Sequence, residues 1–269
     1  MSNSSLYILS FIAYSALAIY FWRTQVNGGG EKLNHGVAGH LVLAPLALHA
    51  YLLYGNLFSG GLSLSLVYAV SLILWLSMLV YWMARFFYPI GSLQTLVLPL
   101  AALGALLPAL FPAIHPLTSN STFALDAHIL VSMLAYSLFT IAVLHAWLMS
   151  FVEKRLHHAS LPLVLQGLPP LLTMETLLFR IIGTGFVLLT LTLASGMVFA
   201  EQIFGLPLQF NHKILFGFIS WGVFGGLLLG HYYRGWRGRT AVRWTMSGFV
   251  FLLLAYIGSK FVLEVLLHR

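Results

Sequence analysis

No cysteine occurs in the 269-residue chain. That excludes disulfides, thiolate metal centres and thiol redox chemistry. It also excludes the C-x-x-C-H haem-attachment pattern, so the chain is not itself a c-type cytochrome. Charge is almost as scarce. Charged residues make up 7% of the sequence, against about 25% in a soluble domain. Acidic residues number only six. A surface so poor in charge is not built to face water on all sides. Nucleotide and hydrolase signatures are missing too. Gly28, Gly29 and Gly30 lack the Lys-Ser/Thr of a phosphate loop and read as a turn. No H-E-x-x-H or G-x-S-x-G occurs.

What fills the chain is hydrophobic. Apolar and aromatic residues make up 60%, and the mean hydropathy is +0.93. A spanning helix needs about 20 mostly apolar residues. Runs at roughly 5–22, 36–54, 62–84, 90–111, 126–151, 177–200, 211–231 and 243–266 meet that length. The expected fold is therefore an all-α, polytopic transmembrane bundle of about eight helices, forming a single integral membrane domain over 1–269. Met1 to Ser5 lack a positive n-region, so the first run is expected to stay as a helix. Between the fifth and sixth runs, Pro162, Pro169 and Pro170 break an apolar stretch that suits the membrane interface.

The net charge of +7 is a topology signal. Arg23, Lys32, Arg85, Lys154, Arg155, Arg180, Arg234, Arg237, Arg239 and Arg243 fall on one side of an eight-helix count. Lys213, Lys260 and Arg269 fall on the other. The positive-inside rule puts the larger set in the cytoplasm and both termini outside. Arg234-Gly-Trp-Arg-Gly-Arg239 has the make-up of a lipid-headgroup anchor. The lipid bilayer is the expected partner, and no nucleic acid is.

With so few charges, the eleven histidines dominate the polar inventory. Imidazole is a common metal and haem-iron ligand. It also serves in membranes simply to hydrogen-bond a neighbouring helix. At about 1.5 Å per residue, His128 and His145 lie about 25 Å apart along the fifth helix. His212 opens the seventh helix and His231 closes it. His40 and His49 lie in the inner and outer parts of the second. The expectation is two layers, an outer one of His49, His128 and His212 and an inner one of His40, His145 and His231. Haem needs two axial ligands, so either layer could supply a pair. No other metal site is expected. Gly222, Gly226 and Gly230 form a small-residue stripe suited to close helix packing. Asp126 and Glu175 precede helices five and six and suit caps; Glu175 could also pair with Arg180.

The order of these features resembles the cytochrome c assembly proteins of the CcsA/HemX-like group. His128-Ile-Leu-Val-Ser-Met-Leu-Ala-Tyr136 is similar to the family helix that opens with a periplasmic histidine. Glu175-Thr-Leu-Leu-Phe-Arg180, Ile182-Gly-Thr-Gly-Phe186 and Ala194-Ser-Gly196 resemble its next helix. Trp221 with Leu229-Gly-His231 resembles its tryptophan-to-histidine helix. The likeness covers about 125–266, with 1–124 as four additional helices. Gly235-Trp-Arg-Gly238 and Ala255-Tyr-Ile-Gly258 point to the YpjD/HemX-like branch. The resemblance implies haem b as ligand, His128 and His231 among the iron ligands, and a bacterial inner-membrane location. His268 is the nearest match to a second external histidine, displaced by about one residue. Other membrane proteins of cytochrome assembly are the implied partners.

One departure bears on activity. The family's synthetases carry a tryptophan-rich external loop. Here Phe199, Phe204, Leu208 and Phe210 stand at the tryptophan positions, Asn211 at the Asp, and Lys213 is kept. Phe and Leu lack the indole N–H donor. The expected function is therefore haem binding or movement across or within the membrane, with no covalent catalysis by this chain alone. The alternative is a regulatory or scaffold protein on the same fold, serving tetrapyrrole synthesis or cation transport.

Overall fold

The computed structural model describes residues 3–27, 37–58, 65–88, 90, 93–111, 123–157, 169–204 and 212–258. His35, His115, His158, His268 and most of the external loop lie outside them. The described residues form eight α-helices and no strand. They are α1 (Asn3–Val26), α2 (Leu43–Phe58), α3 (Leu66–Ala84), α4 (Gln94–Leu110), α5 (Phe123–His157), α6 (Leu171–Phe204), α7 (His212–Arg234) and α8 (Gly238–Leu253). Five helical stretches are long and apolar enough to cross a membrane, within α1, α3, α5, α6 and α7. Helix α5 has 35 residues, about 52 Å, so it outruns a hydrocarbon core of about 30 Å.

Three boundaries differ from expectation for identifiable reasons. The second helix starts at Leu43, after a 3-10 turn at Val37–His40, so His40 sits on that turn. Pro45 falls in the first turn of α2, where a missing N–H breaks no helical bond. The sixth helix begins at Leu171, because the carbonyl of Pro170 accepts from the amides of Thr173 and Met174 and proline suits a first turn. The last begins at Gly238, after a three-residue connection; Gly235, which opens the connection, and Gly238, which follows it, have φ of 64° and 53°. Positive φ is cheap only for glycine. It ends in a π-helical turn at Leu254–Gly258.

The chain divides into two compact units, 1–119 with 148–174, and 120–147 with 175–269. In the first, α1 packs along α4, and α4 along α3. A polar thread runs through its interior. Pro108 in α4 has no N–H, so the carbonyl of Gly104 loses its helical donor. The hydroxyl of Ser71 on α3 donates to that carbonyl at 2.7 Å. Its single proton thus used, it accepts from His49 Nε2 at 3.0 Å. His49 and Ser71 are fully buried. Tyr7 and Tyr14 stand edge-on to the imidazole, 6.3 and 6.0 Å between centroids. His49 is thereby tied into the α2–α3–α4 packing.

Ser71→Ala should leave a buried N–H and a buried carbonyl without partners, at a cost of about 1–3 kcal/mol. Adding Pro108→Ala restores a backbone donor for Gly104 and should recover part of that loss. Thermal unfolding of the detergent-solubilised single and double variants checks it; strict additivity would contradict the thread.

Candidate histidine sites at the two ends of one helical unit

The second unit is ordered by a ladder of contacts between antiparallel neighbours. His128 on α5 meets Ser195 on α6, and Phe139 faces Gly185 farther along. Trp221 on α7 stacks near Phe186 of α6 at 5.4 Å and donates to Thr190 Oγ1 at 2.9 Å. His231 meets Phe179. Lys213, Ser220 and Gly226 of α7 meet Tyr256, Gly248 and Trp244 of the last segment. Helices α5 and α7 therefore run parallel, with α6 and α8 opposed. Phe139 and Phe224 stack between α5 and α7 at 3.9 Å and set their register. From that pair, His145 lies about 9 Å and His231 about 10 Å farther along, at one end. His128 and His212 lie at the other.

At the His231 end, the imidazole stacks on Phe179 with centroids 3.6 Å apart and planes 17° apart. Its Nδ1 is 2.9 Å from the carbonyl oxygen of Trp236. A carbonyl can only accept, so Nδ1 carries a proton, and in the neutral ring the lone pair is on Nε2. The turn that brings Trp236 back is tightly built. The Trp236 amide donates to the carbonyl of Gly230 at 3.2 Å and Gly235 to that of His231 at 3.1 Å. The Trp236 indole lies where a Cβ on Gly230 would be, and it packs on Trp244 at 4.8 Å. Glu175 pairs with Arg237 at 3.4 Å; it is buried enough that the pair helps fix the turn to α6. His145 is buried on α5. Among the described residues, the hydrogen bonds and ring contacts of His231 go to Trp236 and Phe179, not to another histidine.

At the His128 end, Nδ1 lies 2.7 Å from Ser195 Oγ. Ser195 donates its proton to the helical carbonyls behind it, Leu191 at 2.6 Å and Thr192 at 3.2 Å. It must then accept from the imidazole, which again fixes Nδ1–H and puts the lone pair on Nε2. His212 and Lys213 are exposed at the start of α7. The Lys213 ammonium stands 5.5 Å from the ring of Tyr256, which lies in the π-helical turn. The Tyr136 hydroxyl donates to the Leu252 carbonyl beside that turn at 2.8 Å. A π turn often marks a functional site.

His40 and His49 belong to the first unit. His49 holds the polar thread, and His40 is exposed near Trp82 and Phe86 at 6.1 and 5.9 Å. Among the described residues no three His, Asp or Glu side chains converge as a metal-ion site. Of the glycine stripe, Gly226 and Gly230 face Trp244 and Trp236 of the same chain, while a Cβ on Gly222 would meet nothing among the described residues. Ser195, Phe179 and the Trp236 carbonyl carry no chemical signal of their own in the sequence. All three nonetheless fall inside segments that resemble the family, Ala194-Ser-Gly196, Glu175–Arg180 and Gly235–Gly238.

A family profile described as "Cytochrome C assembly protein" matches residues 35–267. The inner membrane protein YpjD of Escherichia coli is 30% identical over 262 residues, covering 96% of this chain and 98% of the relative. A 28.8 kDa protein of Azospirillum brasilense is 38% identical over 53% of each chain. The cytochrome c biogenesis protein CcsA of Prochlorococcus marinus is 37% identical over 89 residues, 33% of this chain and 28% of that one. No solved structure matches. The expected multi-pass inner-membrane placement agrees with the name of the Escherichia coli relative and with the five spans. By its helices and by a match spanning most of its length, the chain belongs to the cytochrome c assembly protein family.

Proposed function

We propose that this chain holds haem as cargo in the bacterial inner membrane, through His231 at the cytoplasmic end of the second unit and His128 at the periplasmic end. One observation carries the proposal. At both ends Nδ1–H is committed to a protein acceptor, so in the neutral ring Nε2 is the lone-pair nitrogen. That is the tautomer and orientation that ligating histidines have, with the second nitrogen fixing the ring. The donor set therefore fits haem iron. The basic residues support the orientation: Arg180, Arg234, Arg237, Arg239 and Arg243 cluster at the His231 end. His145 is the candidate second inner ligand and His212 the candidate companion of His128, both on the same unit; His49, held in the polar thread of the first unit, is left to packing. Lys213 offers a cation to the haem carboxylates. The haem brings its own redox chemistry, and the protein's part is to bind it and select the face. Assembly partners would be other membrane proteins acting on cytochromes.

A haem-free scaffold is the second reading, favoured by the aliphatic and phenyl side chains in place of the external tryptophans. Haemin titration of the purified protein separates the two. In a His231→Ala background, a saturable Soret shift should remain, and His128→Ala should remove it. Ser195→Ala should weaken it by roughly 10-fold, the lower range for losing a partner of a ligating histidine. No saturable shift in the wild type would favour the scaffold.

A further inference from the structure

Arg85 closes α3 at the end that the basic residues assign to the cytoplasm. It is 6% exposed, unusual for a residue that is almost never buried without a partner. Its Nη1 is buried with no hydrogen-bond partner among the described residues, and no described carboxylate pairs with it. Its guanidinium lies 5.2 Å from the centroid of Phe86 and against Gly39, where a Cβ would collide with it. A side chain at that position would displace the guanidinium from its place against the turn. Around it stand Trp82 and Phe86, 5.2 Å apart and both touching the His40 ring. The Trp82 indole Nε1 is a second buried donor with no partner among the described residues. One cluster therefore holds a buried cation and a buried neutral donor; the polar neighbour of the guanidinium is the uncharged Tyr81 hydroxyl, and no carboxylate among the described residues pairs with it. Glu31 is the only acidic residue before Asp126.

A buried cation is costly unless an anion accompanies it, and a guanidinium matches phosphate oxygens better than any other side chain does. The flank is apolar and open: Phe86 is 54% and Phe87 79% exposed, and Leu41, next in sequence to His40, is exposed as well. An anion with an apolar body suits both halves, and lipid phosphates lie at this depth next to helix ends. We propose that Arg85 and Trp82 bind the phosphate of an anionic glycerophospholipid, whose acyl chains cover the Phe86–Phe87 face.

The test is native mass spectrometry of the full-length, delipidated protein titrated with phosphatidylglycerol or phosphatidylcholine. The wild type should retain one phosphatidylglycerol in preference to phosphatidylcholine. Arg85→Gln should weaken that retention by at least about 10-fold, the scale of one charge-assisted bond. Trp82→Phe keeps the charge and the ring, so it guards against a folding artefact, and should weaken retention less. Arg85→Lys should fall between wild type and Arg85→Gln. Glu31→Gln should leave retention unchanged. Retention unaffected by Arg85→Gln and Trp82→Phe would overturn the site. Equal losses of melting temperature in Arg85→Gln and Glu31→Gln, with lipid retention intact in both, would make the arginine half of an internal ion pair and also overturn it. Displacement of the lipid by inorganic phosphate at comparable affinity would overturn the lipid as occupant and assign a soluble phosphate compound.

Discussion

His231→Ala is expected to abolish haem binding at the cytoplasmic end while leaving the protein folded. The variant removes a lone-pair nitrogen whose ring is held on both sides, by Phe179 at 3.6 Å and by the Trp236 carbonyl at 2.9 Å. Removing the group that hydrogen-bonds a ligating histidine typically costs 10- to 100-fold in metal affinity, so loss of the ligand itself should exceed about 100-fold. The helix should survive, because alanine is the best helix former and His231 is only part-buried near the end of α7. The checks, made in a His128→Ala background so that the other end cannot hold haem, are the haem content of the purified variant against its size-exclusion profile. Retained haem with the wild-type spectrum would show that His231 is a packing residue.

The second large effect is expected from a residue that touches no ligand. Gly230→Val should remove the same haem and also loosen the turn between α7 and α8. Any Cβ at that position collides with the Trp236 indole, which also packs on Trp244. Relief requires the turn to move. Moving it separates the Trp236 carbonyl from His231 and the Trp236 amide from Gly230. Overpacking of this kind costs typically about 1–3 kcal/mol, and the imidazole loses the acceptor that fixes its tautomer. Limited trypsin digestion reports the turn through Arg234, Arg237 and Arg239, and the reduced spectrum reports the site. Faster cleavage with unchanged haem would separate the turn from the ligand and weaken the assignment of Trp236 as the residue that orients His231.

The helical fold was legible in composition and run length, because a chain with 7% charged residues has few alternatives to spanning a membrane. Boundaries were less so. Hydropathy does not register that Pro170 can cap a helix, or that Gly235 and Gly238 permit a three-residue turn. The histidines announced themselves as polar groups in apolar helices. What orients them did not. Ser195 looks like an ordinary helical serine until its proton is traced to Leu191, and the acceptor for His231 is a backbone carbonyl that any residue would supply. His49 shows the converse. Its partner, Ser71, answers to a proline on a third helix, a link without a sequence pattern. Arg85 read only as a topology marker, since burial of a loop arginine depends on how Gly39 approaches it.

The most direct test of haem carriage is the absorption spectrum of the wild-type protein purified from haem-replete cells, oxidised and then reduced with dithionite. Near-stoichiometric haem with the sharp reduced bands of a bis-histidine b-type centre is the predicted result. Protein that is folded, monodisperse and free of haem would contradict it, and would leave His128 and His231 as helix-packing groups of a scaffold.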